Sequence, residues 1–462
     1  MRAAKAWGFF LVLALTWPFF VPGEAFALRD MMVFPEMTLT RASLGYGDLP
    51  ARNVPQDALL GILPFPVLAV RVIMVASACG AACAGWRVSA TAWGKAAAMT
   101  VAVWNPFVVE RLLQGQWSLA AAAWLIPLVA VSAAPVAVWV SSLIPTGALA
   151  CLLVARTRAG ALLAAVLCLP WVVSGALAGS GVASQASAAA FAPRAEQWAG
   201  TLGALAGLGG MWNAAAVPAS RSVGFAIFGV GLFVVLAFGW RAVPRRLLVL
   251  AGLGFVIALA SHAGLLDWAV THVPGGGLLR DAHKWLILAI PSFVIAAGAL
   301  PSRGAAAALF LALLQVPDAP VAVAALTPVP ALVVPDVEHN GRDVFFVDRP
   351  ALLLRDDGTP VVDPAPKMMN VVEPGELVVD GTVVDPVSPR WVAARDATQR
   401  RDEEALKALG VGVVVFPDGS QWHMDVPAGR LAPLGLFLLG VWWLAPFATM
   451  AVHLAFSKRR FN

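Results

Sequence analysis

The chain has 462 residues, of which 60% are hydrophobic and 13% are charged. Soluble domains carry about 25% charged residues, so this composition excludes an ordinary soluble protein and indicates a chain that lies mostly in lipid. The net charge of +5 would suggest nucleic-acid binding in a soluble protein. Membrane proteins, however, retain Lys and Arg on their cytoplasmic side, so we expect membrane lipids and no nucleic acid as partners.

The acidic residues divide the chain, because 17 of the 27 lie between Asp336 and Asp425. We therefore predict a multi-span membrane domain over residues 1–330 and a small α/β domain over residues 331–430. A final transmembrane helix with a basic tail follows over residues 431–462. The four cysteines all lie in apolar stretches, which indicates neither a disulfide framework nor a metal site.

The N-terminus is a short basic stretch followed by an apolar run from Trp7 to Val21. A signal peptide would have the same layout, but the cleavage site is poor and a retained first span fits the apolar chain that follows. Residues 23–57 carry five acidic residues and three prolines. This stretch is predicted to be a long loop on the outer side of the membrane.

Ten spans are predicted, at 7–21, 59–85, 90–108, 117–134, 159–178, 223–240, 244–261, 285–300, 304–316 and 431–456. If every basic cluster without acidic neighbours faces the cytoplasm, both termini lie in the cytoplasm of a plasma-membrane protein and every acidic loop lies outside. The stretch from Ser118 to Ala155 is then one crossing plus a re-entrant piece. The alternative is twelve spans, in which Trp198–Met211 crosses as well.

The polar segment 331–430 contains strand-like runs at 344–347, 377–379 and 411–416 and a helical pattern at 401–409. Gly410 stands at the end of this helix, where glycine is common. The helix, the glycine and the strand predict an extracytoplasmic α/β domain before the last span.

The first candidate site lies in the loop after the first span. Asp30 stands where the chain leaves lipid, and a carboxylate there can act as a general base or bind a cation. The same loop offers aromatic, amide and charged groups that suit the recognition of sugar hydroxyls, namely Tyr46, Asp48, Arg52, Asn53 and Asp57. A solvated carboxylate and a rigid polar turn are the alternative interpretations.

The second candidate site is Trp104–Trp117, with Glu110, Arg111 and Gln116 between two spans. These side chains suit sugar binding, whereas the alternative is interfacial anchoring by the two tryptophans with solvated charges. The third begins with a glycine run at 275–277. Arg280, His283 and Lys284 follow it at a predicted helix start and resemble an anion site, so a phosphate is the expected ligand. On the cytoplasmic side the same cluster would only reflect the excess of Lys and Arg that cytoplasmic loops of membrane proteins carry.

At these three places the chain resembles the GT-C superfamily of membrane glycosyltransferases. The stretches NPFVVERLLQGQW and LLRDAHKWL also resemble segments of the actinobacterial alpha-(1→3)-arabinofuranosyltransferase group. The resemblance covers roughly residues 1–316. It implies transfer of a sugar from a polyprenyl-phosphate donor to a cell-envelope glycan or lipid on the outer face of the membrane.

The resemblance further implies that Asp30 is the catalytic base or a metal ligand, so a divalent cation is a candidate cofactor. Arg280, His283 and Lys284 would hold the donor phosphate, and we expect all three in one cavity with Asp30. The alternatives are a transporter or flippase of lipid-linked sugars and a non-catalytic membrane protein of envelope assembly.

Overall fold

A computed structural model describes residues 2–177, 185–273, 275–379 and 381–458. Within these ranges, eight helical segments are long and apolar enough to cross a membrane: Arg2–Phe20, Pro66–Arg87, Ala92–Leu113, Arg158–Leu177, Arg245–His262, Ala282–Ala299, Ser302–Leu326 and Pro433–Ala451. Many of their exposed side chains are large and apolar, such as Val249 and Val256 in the helix Arg245–His262. The protein is therefore a helical protein with the features of a membrane protein.

Eight of the ten predicted spans coincide with these segments. The other two form shorter helices, Trp117–Val131 and Ala226–Ala237. Between Ser118 and Ala155 the chain continues with Pro135–Ser141 and Pro145–Val154. The twelve-span alternative fits poorly, because Gly200–Ala206 has 7 residues and is about 10 Å long, whereas the bilayer core is about 30 Å thick.

The remaining helices of the membrane part are short and connect or cover the spans. They are Gln56–Ile62, Gln185–Ala190, Ala219–Ser222, Asp267–His272 and Ala319–Ala322. Three-residue-per-turn helices occupy Trp17–Phe20, Ala214–Ala216, Trp240–Ala242, Gly276–Leu279, Ala282–Leu288 and Val323–Leu326. The predicted helix start after the glycine run is thus a tight 3₁₀ segment, and the α-helix begins only at Ile290.

One predicted span is broken at Asn105. The helices Ala92–Val103 and Pro106–Leu113 flank this residue, whose side chain accepts a hydrogen bond from the Val108 nitrogen at 3.0 Å. An Asn cap followed by proline is a strong helix start. The second helix is fully buried, including Glu110 and Arg111. Because of this burial, the interpretation of these two residues as solvated interfacial charges is wrong.

The polar segment near the C-terminus contains a three-stranded mixed sheet. Asp343–Phe346 pairs in parallel with Val411–Val415, which pairs antiparallel with Gln421–His423. The helices Pro389–Gln399 and Glu403–Ala408 lie in the crossover, and two hairpins join Leu352–Leu354 to Pro360–Val362 and Leu377–Val379 to Thr382–Asp385. The predicted strands and helix are confirmed to within two residues, and Gly410 ends the helix with a φ of +71°.

The loop 23–57 and the segment 331–430 form one layer, which we call the polar layer. A hairpin of Phe26–Leu28 and Met31–Val33 contacts Pro360–Val362 through the Arg29 nitrogen and the Pro360 oxygen at 2.9 Å. Farther along the loop, the Thr38 nitrogen donates to the Lys367 oxygen, also at 2.9 Å. Since the two parts are hydrogen-bonded to each other, they lie on the same side of any membrane that the helices cross.

Candidate functional site

Asp30 lies in the two-residue turn of the first hairpin. Hydrogen bonds to main-chain oxygens of the membrane part hold this turn in place. Arg29 has a φ of +49°, and its guanidinium donates to the carbonyl oxygens of Leu113 at 2.5 Å and Ala215 at 2.6 Å. The Asp30 nitrogen donates to the Gln114 oxygen at 3.1 Å. The turn is thereby fixed against the connection between two helices of the membrane part.

Gly115 makes this close approach possible. Its φ is +81°, a conformation that favours glycine. A Cβ atom there would lie 2.9 Å from the Asp30 nitrogen and closer still to the Leu28 oxygen. The first hairpin therefore packs directly on the motif Gln114-Gly115-Gln116.

A series of hydrogen-bonded side chains connects the Asp30 carboxylate with the buried Arg111. Gln116 Nε2 donates to Asp30 Oδ2 at 3.1 Å, and Arg111 Nη1 donates to Gln116 Oε1 at 2.7 Å. Arg111 also forms a two-pronged ion pair with Asp281, in which Nη2 lies 3.1 Å from Oδ1. Three predicted sites thus meet at Arg111, although they are far apart in the sequence.

His283 belongs to the same cluster but not as a cation. Arg111 Nη2, which can only donate, lies 2.8 Å from His283 Nδ1, and His283 Nε2 lies 3.1 Å from the Gly209 oxygen. Nδ1 must accept and Nε2 must donate, so the imidazole is neutral. The ring is fully buried and stacks on Phe107. The prediction of a cationic phosphate ligand does not fit this geometry, and His283 instead positions Arg111.

Arg280 has a carboxylate partner that the sequence did not reveal. Its Nη1 lies 2.6 and 2.8 Å from the two oxygens of Asp385, and Arg52 Nη2 lies 2.8 Å from the same carboxylate. Burial acts to raise the pKa of Asp385, but the two guanidinium groups outweigh it and hold the pKa below its usual value. Arg280 also covers the Phe191 ring at 4.4 Å.

Lys284 differs from its neighbours because its ammonium group forms no hydrogen bond or ion pair within the described part of the chain, although its main-chain nitrogen donates to the Asp281 oxygen at 3.3 Å. Its charge interacts with those of Asp281, Arg111 and Arg280. It is therefore the cation of the predicted phosphate site that is available to a ligand.

The Asp30 carboxyl is partly shielded from solvent. Burial raises its pKa, and the hydrogen bonds from Gln116 and Gln114 oppose this shift without cancelling it. A carboxylate with a raised pKa is a better proton acceptor than a solvated one. The environment of Asp30 thus suits general-base chemistry and does not match the interpretation as a freely solvated carboxylate.

Most other predicted loop residues bind the polar layer together rather than lining the cluster. Asp48 pairs with Arg390 at 2.8 Å and Asp57 with Lys367 at 2.7 Å. The Asn53 carbonyl oxygen accepts from the Asp57 nitrogen. The Tyr46 ring lies near Gly435, and its buried hydroxyl has no hydrogen-bond partner in the described structure. Of this group, only Arg52 reaches the Arg280–Asp385 pair.

A second buried ion cluster lies beside the first. Arg221 contacts Glu196 and lies 4.0 Å from Glu110, while Arg194 pairs with Glu196 at 2.6 Å. The Met211 nitrogen donates to Glu110 at 2.9 Å. Arg71, a further cation within an apolar helix, lies elsewhere and donates to the Phe19 and Val21 oxygens at the end of the first helix. In the sequence, the glycines at 207–210 and the isolated acidic residue Glu196 were the features that could have indicated this second cluster.

No group of three or more His, Cys, Asp or Glu side chains that could hold a metal occurs among the described residues. Asp30 and Asp281 interact electrostatically, but Arg111 occupies both oxygens of Asp281. The described residues therefore do not supply a ligand set for the divalent cation that the resemblance made a candidate.

No protein-family model matches the chain, and comparisons with characterised proteins and with solved structures give no significant match. The resemblance to GT-C glycosyltransferases therefore rests on the short sequence motifs alone.

Proposed function

We propose that the protein is a GT-C-like glycosyltransferase that moves a sugar from a polyprenyl-phosphate donor to a cell-envelope glycan or lipid. The observation that supports this most is the Asp30 cluster. A partly shielded carboxylate with a raised pKa is joined through Gln116 to Arg111 and Asp281. The free ammonium of Lys284 lies beside it, where the polar layer meets the apolar helices.

In the proposed reaction, an acceptor hydroxyl attacks the anomeric carbon of the donor. Asp30 takes the hydroxyl proton as the new glycosidic bond forms, which is general-base catalysis. The bond between the anomeric carbon and the phosphate oxygen breaks, and the electron pair leaves with polyprenyl phosphate. Lys284 stabilises the negative charge on this leaving group.

The charge of Arg280 is already balanced by its ion pair with Asp385. In the structure both carboxylate oxygens of Asp385 accept from Nη1 of Arg280, so this guanidinium binds a phosphate fully only when the carboxylate gives way. A donor phosphate would replace Asp385 as the partner of Arg280 and Arg52. The hairpin that carries Asp385 would then respond to donor binding.

The proposed topology is a plasma-membrane protein with both termini in the cytoplasm and residues 331–430 outside. It is supported by the separation of basic and acidic segments and by the contacts that keep loop 23–57 and segment 331–430 on one side. This arrangement gives the Asp30 cluster access to the outer face, where the donor and the acceptor would meet.

The decisive experiment compares Asp30→Asn with Asp48→Asn and Asp57→Asn in transfer from a labelled polyprenyl-phosphate sugar. Asn at position 30 keeps an oxygen for Gln116 but cannot take the proton. We expect a loss of about 10²–10⁴-fold for Asp30→Asn with unchanged expression and folding. Asp48→Asn and Asp57→Asn should retain turnover, because these carboxylates pair with Arg390 and Lys367.

Wild-type transfer by Asp30→Asn at matched expression would contradict the assignment of the base. If the wild-type protein transfers no sugar, the transporter and assembly alternatives become the better explanations. The envelope glycan profile of a complemented deletion strain provides the second measurement.

A further inference from the structure

A groove of about 300 Å³ runs between the first helix and the helix Pro66–Arg87. On the first helix its wall is a continuous stripe from Lys5 to Phe20, and on the second it runs from Val75 to Trp86. The first helix leads from this groove toward the hairpin that carries Asp30, and Lys5 lies at its opposite end. The groove is therefore separate from the proposed active site.

Small side chains form part of the floor of this open groove. Gly8 lies directly over Met99, whose sulfur would be 2.9 Å from a Cβ atom at this position, and Ala82 lines the same floor. The rim is large and apolar, with Phe9 70% exposed and Phe20 59% exposed. Both walls belong to helices that are long and apolar enough to span a membrane, so the opening faces the acyl chains of lipids.

Positive charge collects at one end of this groove. The Lys5 ammonium lies 5.9 Å and the Lys95 ammonium 3.8 Å from the centre of the Trp86 ring. Neither lysine has a carboxylate within ion-pair distance in the part of the chain that the structure describes. Lys95 is nevertheless 93% buried, since only 7% of it is exposed. An apolar trough that ends in two unpaired ammonium groups is complementary to an amphiphile with an anionic head.

We propose that this groove binds one anionic phospholipid, with an acyl chain between the two helices and the phosphate at Lys5. The volume lies within the range of small-molecule sites, and the tryptophan–lysine end has the composition of a membrane interface. A second copy of the chain would need an apolar surface without unpaired charge, which this end does not offer. The head group lies at the N-terminal end of the first helix, which in the proposed topology is the cytoplasmic leaflet, where membranes carry anionic lipids.

The test is native mass spectrometry of the full-length protein in detergent with palmitoyl-oleoyl phosphatidylglycerol or the corresponding phosphatidylcholine. The wild-type protein should retain one phosphatidylglycerol in preference to phosphatidylcholine. Lys5→Gln should lower this preference about five-fold, because one cation near a lipid phosphate contributes roughly this factor. Cys79→Trp, which fills the apolar wall, should remove the bound lipid of either class.

Arg158→Gln is the matched control, because Arg158 is an exposed cation at the start of another helix and should not change retention. Asp30→Asn should also retain phosphatidylglycerol, so a failure of the proposed enzyme activity and a failure of lipid binding are distinguishable. Equal retention of the two lipids by the wild-type protein would overturn the proposal. An equal loss in Lys5→Gln and Arg158→Gln would overturn it as well, since it would indicate non-specific charge attraction.

Discussion

At the scale of single residues, Arg111 joins the three segments of the candidate site. It donates to Gln116, to Asp281 and to His283, and none of its side chain is exposed. A guanidinium suits this position because its donors form a planar fork that can serve several acceptors at once. The position of Asp30 therefore depends on a residue that does not contact it.

Arg111→Gln is expected to destabilise the protein strongly, because it leaves the Asp281 carboxylate without its cation. Breaking a buried ion pair costs about 3–5 kcal/mol, which thermal unfolding in detergent would detect. Arg111→Lys keeps the positive charge but loses the planar set of donors, so the loss of thermal stability should be smaller than for Arg111→Gln. Arg87→Gln, at an exposed position, is the control, and an equal shift in all three variants would contradict this role of Arg111.

At the scale of elements, the first hairpin is held by its contact with Gln114-Gly115-Gln116. The hairpin itself is short, with three residues in each strand, and an isolated two-stranded hairpin is at best marginally stable. The position of the hairpin is thus determined by its packing on Gln114-Gly115-Gln116.

Gly115→Ala should displace the hairpin, because a Cβ atom would collide with backbone rather than with a flexible side chain. We expect transfer activity to fall together with thermal stability, even though Asp30 is unchanged. Gly252→Ala is the matched control, since a Cβ atom there meets nothing within 4 Å and Gly252 lies outside the candidate site. Full activity of Gly115→Ala would show that packing of the hairpin on Gln114-Gly115-Gln116 does not position Asp30.

The contact between the loop and the C-terminal segment should depend on pH through Glu373. Burial raises the pKa of Glu373 from 4.5 to about 7, and the nearby charge of Asp48 adds to this effect, while Arg52 and Lys367 oppose it. The folded state therefore binds the proton more tightly than the unfolded state. The stability contributed by this proton is complete below pH about 4.5 and is lost as the pH rises through about 7.

Glu373→Gln should flatten this dependence, because the side chain stays neutral at every pH. Melting temperatures between pH 4 and 8 would show a smaller decline than in the wild-type protein and a higher value above pH 7. Glu376→Gln, at an exposed position three residues away, should leave the profile unchanged. Identical slopes in wild type and Glu373→Gln would rule out the proposed titration.

At the scale of the whole molecule, the polar layer constrains how many helices cross the membrane. Because loop 23–57 contacts segment 331–430, an even number of crossings must separate them. Six long candidate segments and three shorter apolar helices lie between them among the described residues. If all six long segments cross, an even number requires that none or two of the shorter helices cross, which would give eight or ten crossings in all. The prediction of ten uses Trp117–Val131 and Ala226–Ala237.

Cysteine labelling tests the topology in a background where Cys79, Cys83, Cys151 and Cys168 are replaced. An impermeant thiol reagent on intact cells should modify a cysteine at Asp357, which is 53% exposed, but not one at Ser457. Lysis should make the second site reactive. Labelling of Ser457→Cys alone in intact cells would reverse the proposed orientation.

The sequence by itself determined the membrane character, most of the long helices and the secondary structure of segment 331–430. These features follow from local composition, apolar length and glycine placement. The sequence also identified Asp30, Arg111, Gln116 and the stretch from Arg280 to Lys284 as chemically interesting, because polar groups are rare in the surrounding apolar chain.

Only the tertiary structure decided which of these groups meet. Arg111 bonds both Gln116 and His283, Asp385 pairs with Arg280, and Asp48 and Asp57 pair with cations more than 300 positions away. Whether a carboxylate is a base or a structural ion depends on the partner that folding brings within about 3 Å. Such partners have no fixed spacing in the sequence, so Lys284 became the available cation and Arg280 a paired one only in the folded chain.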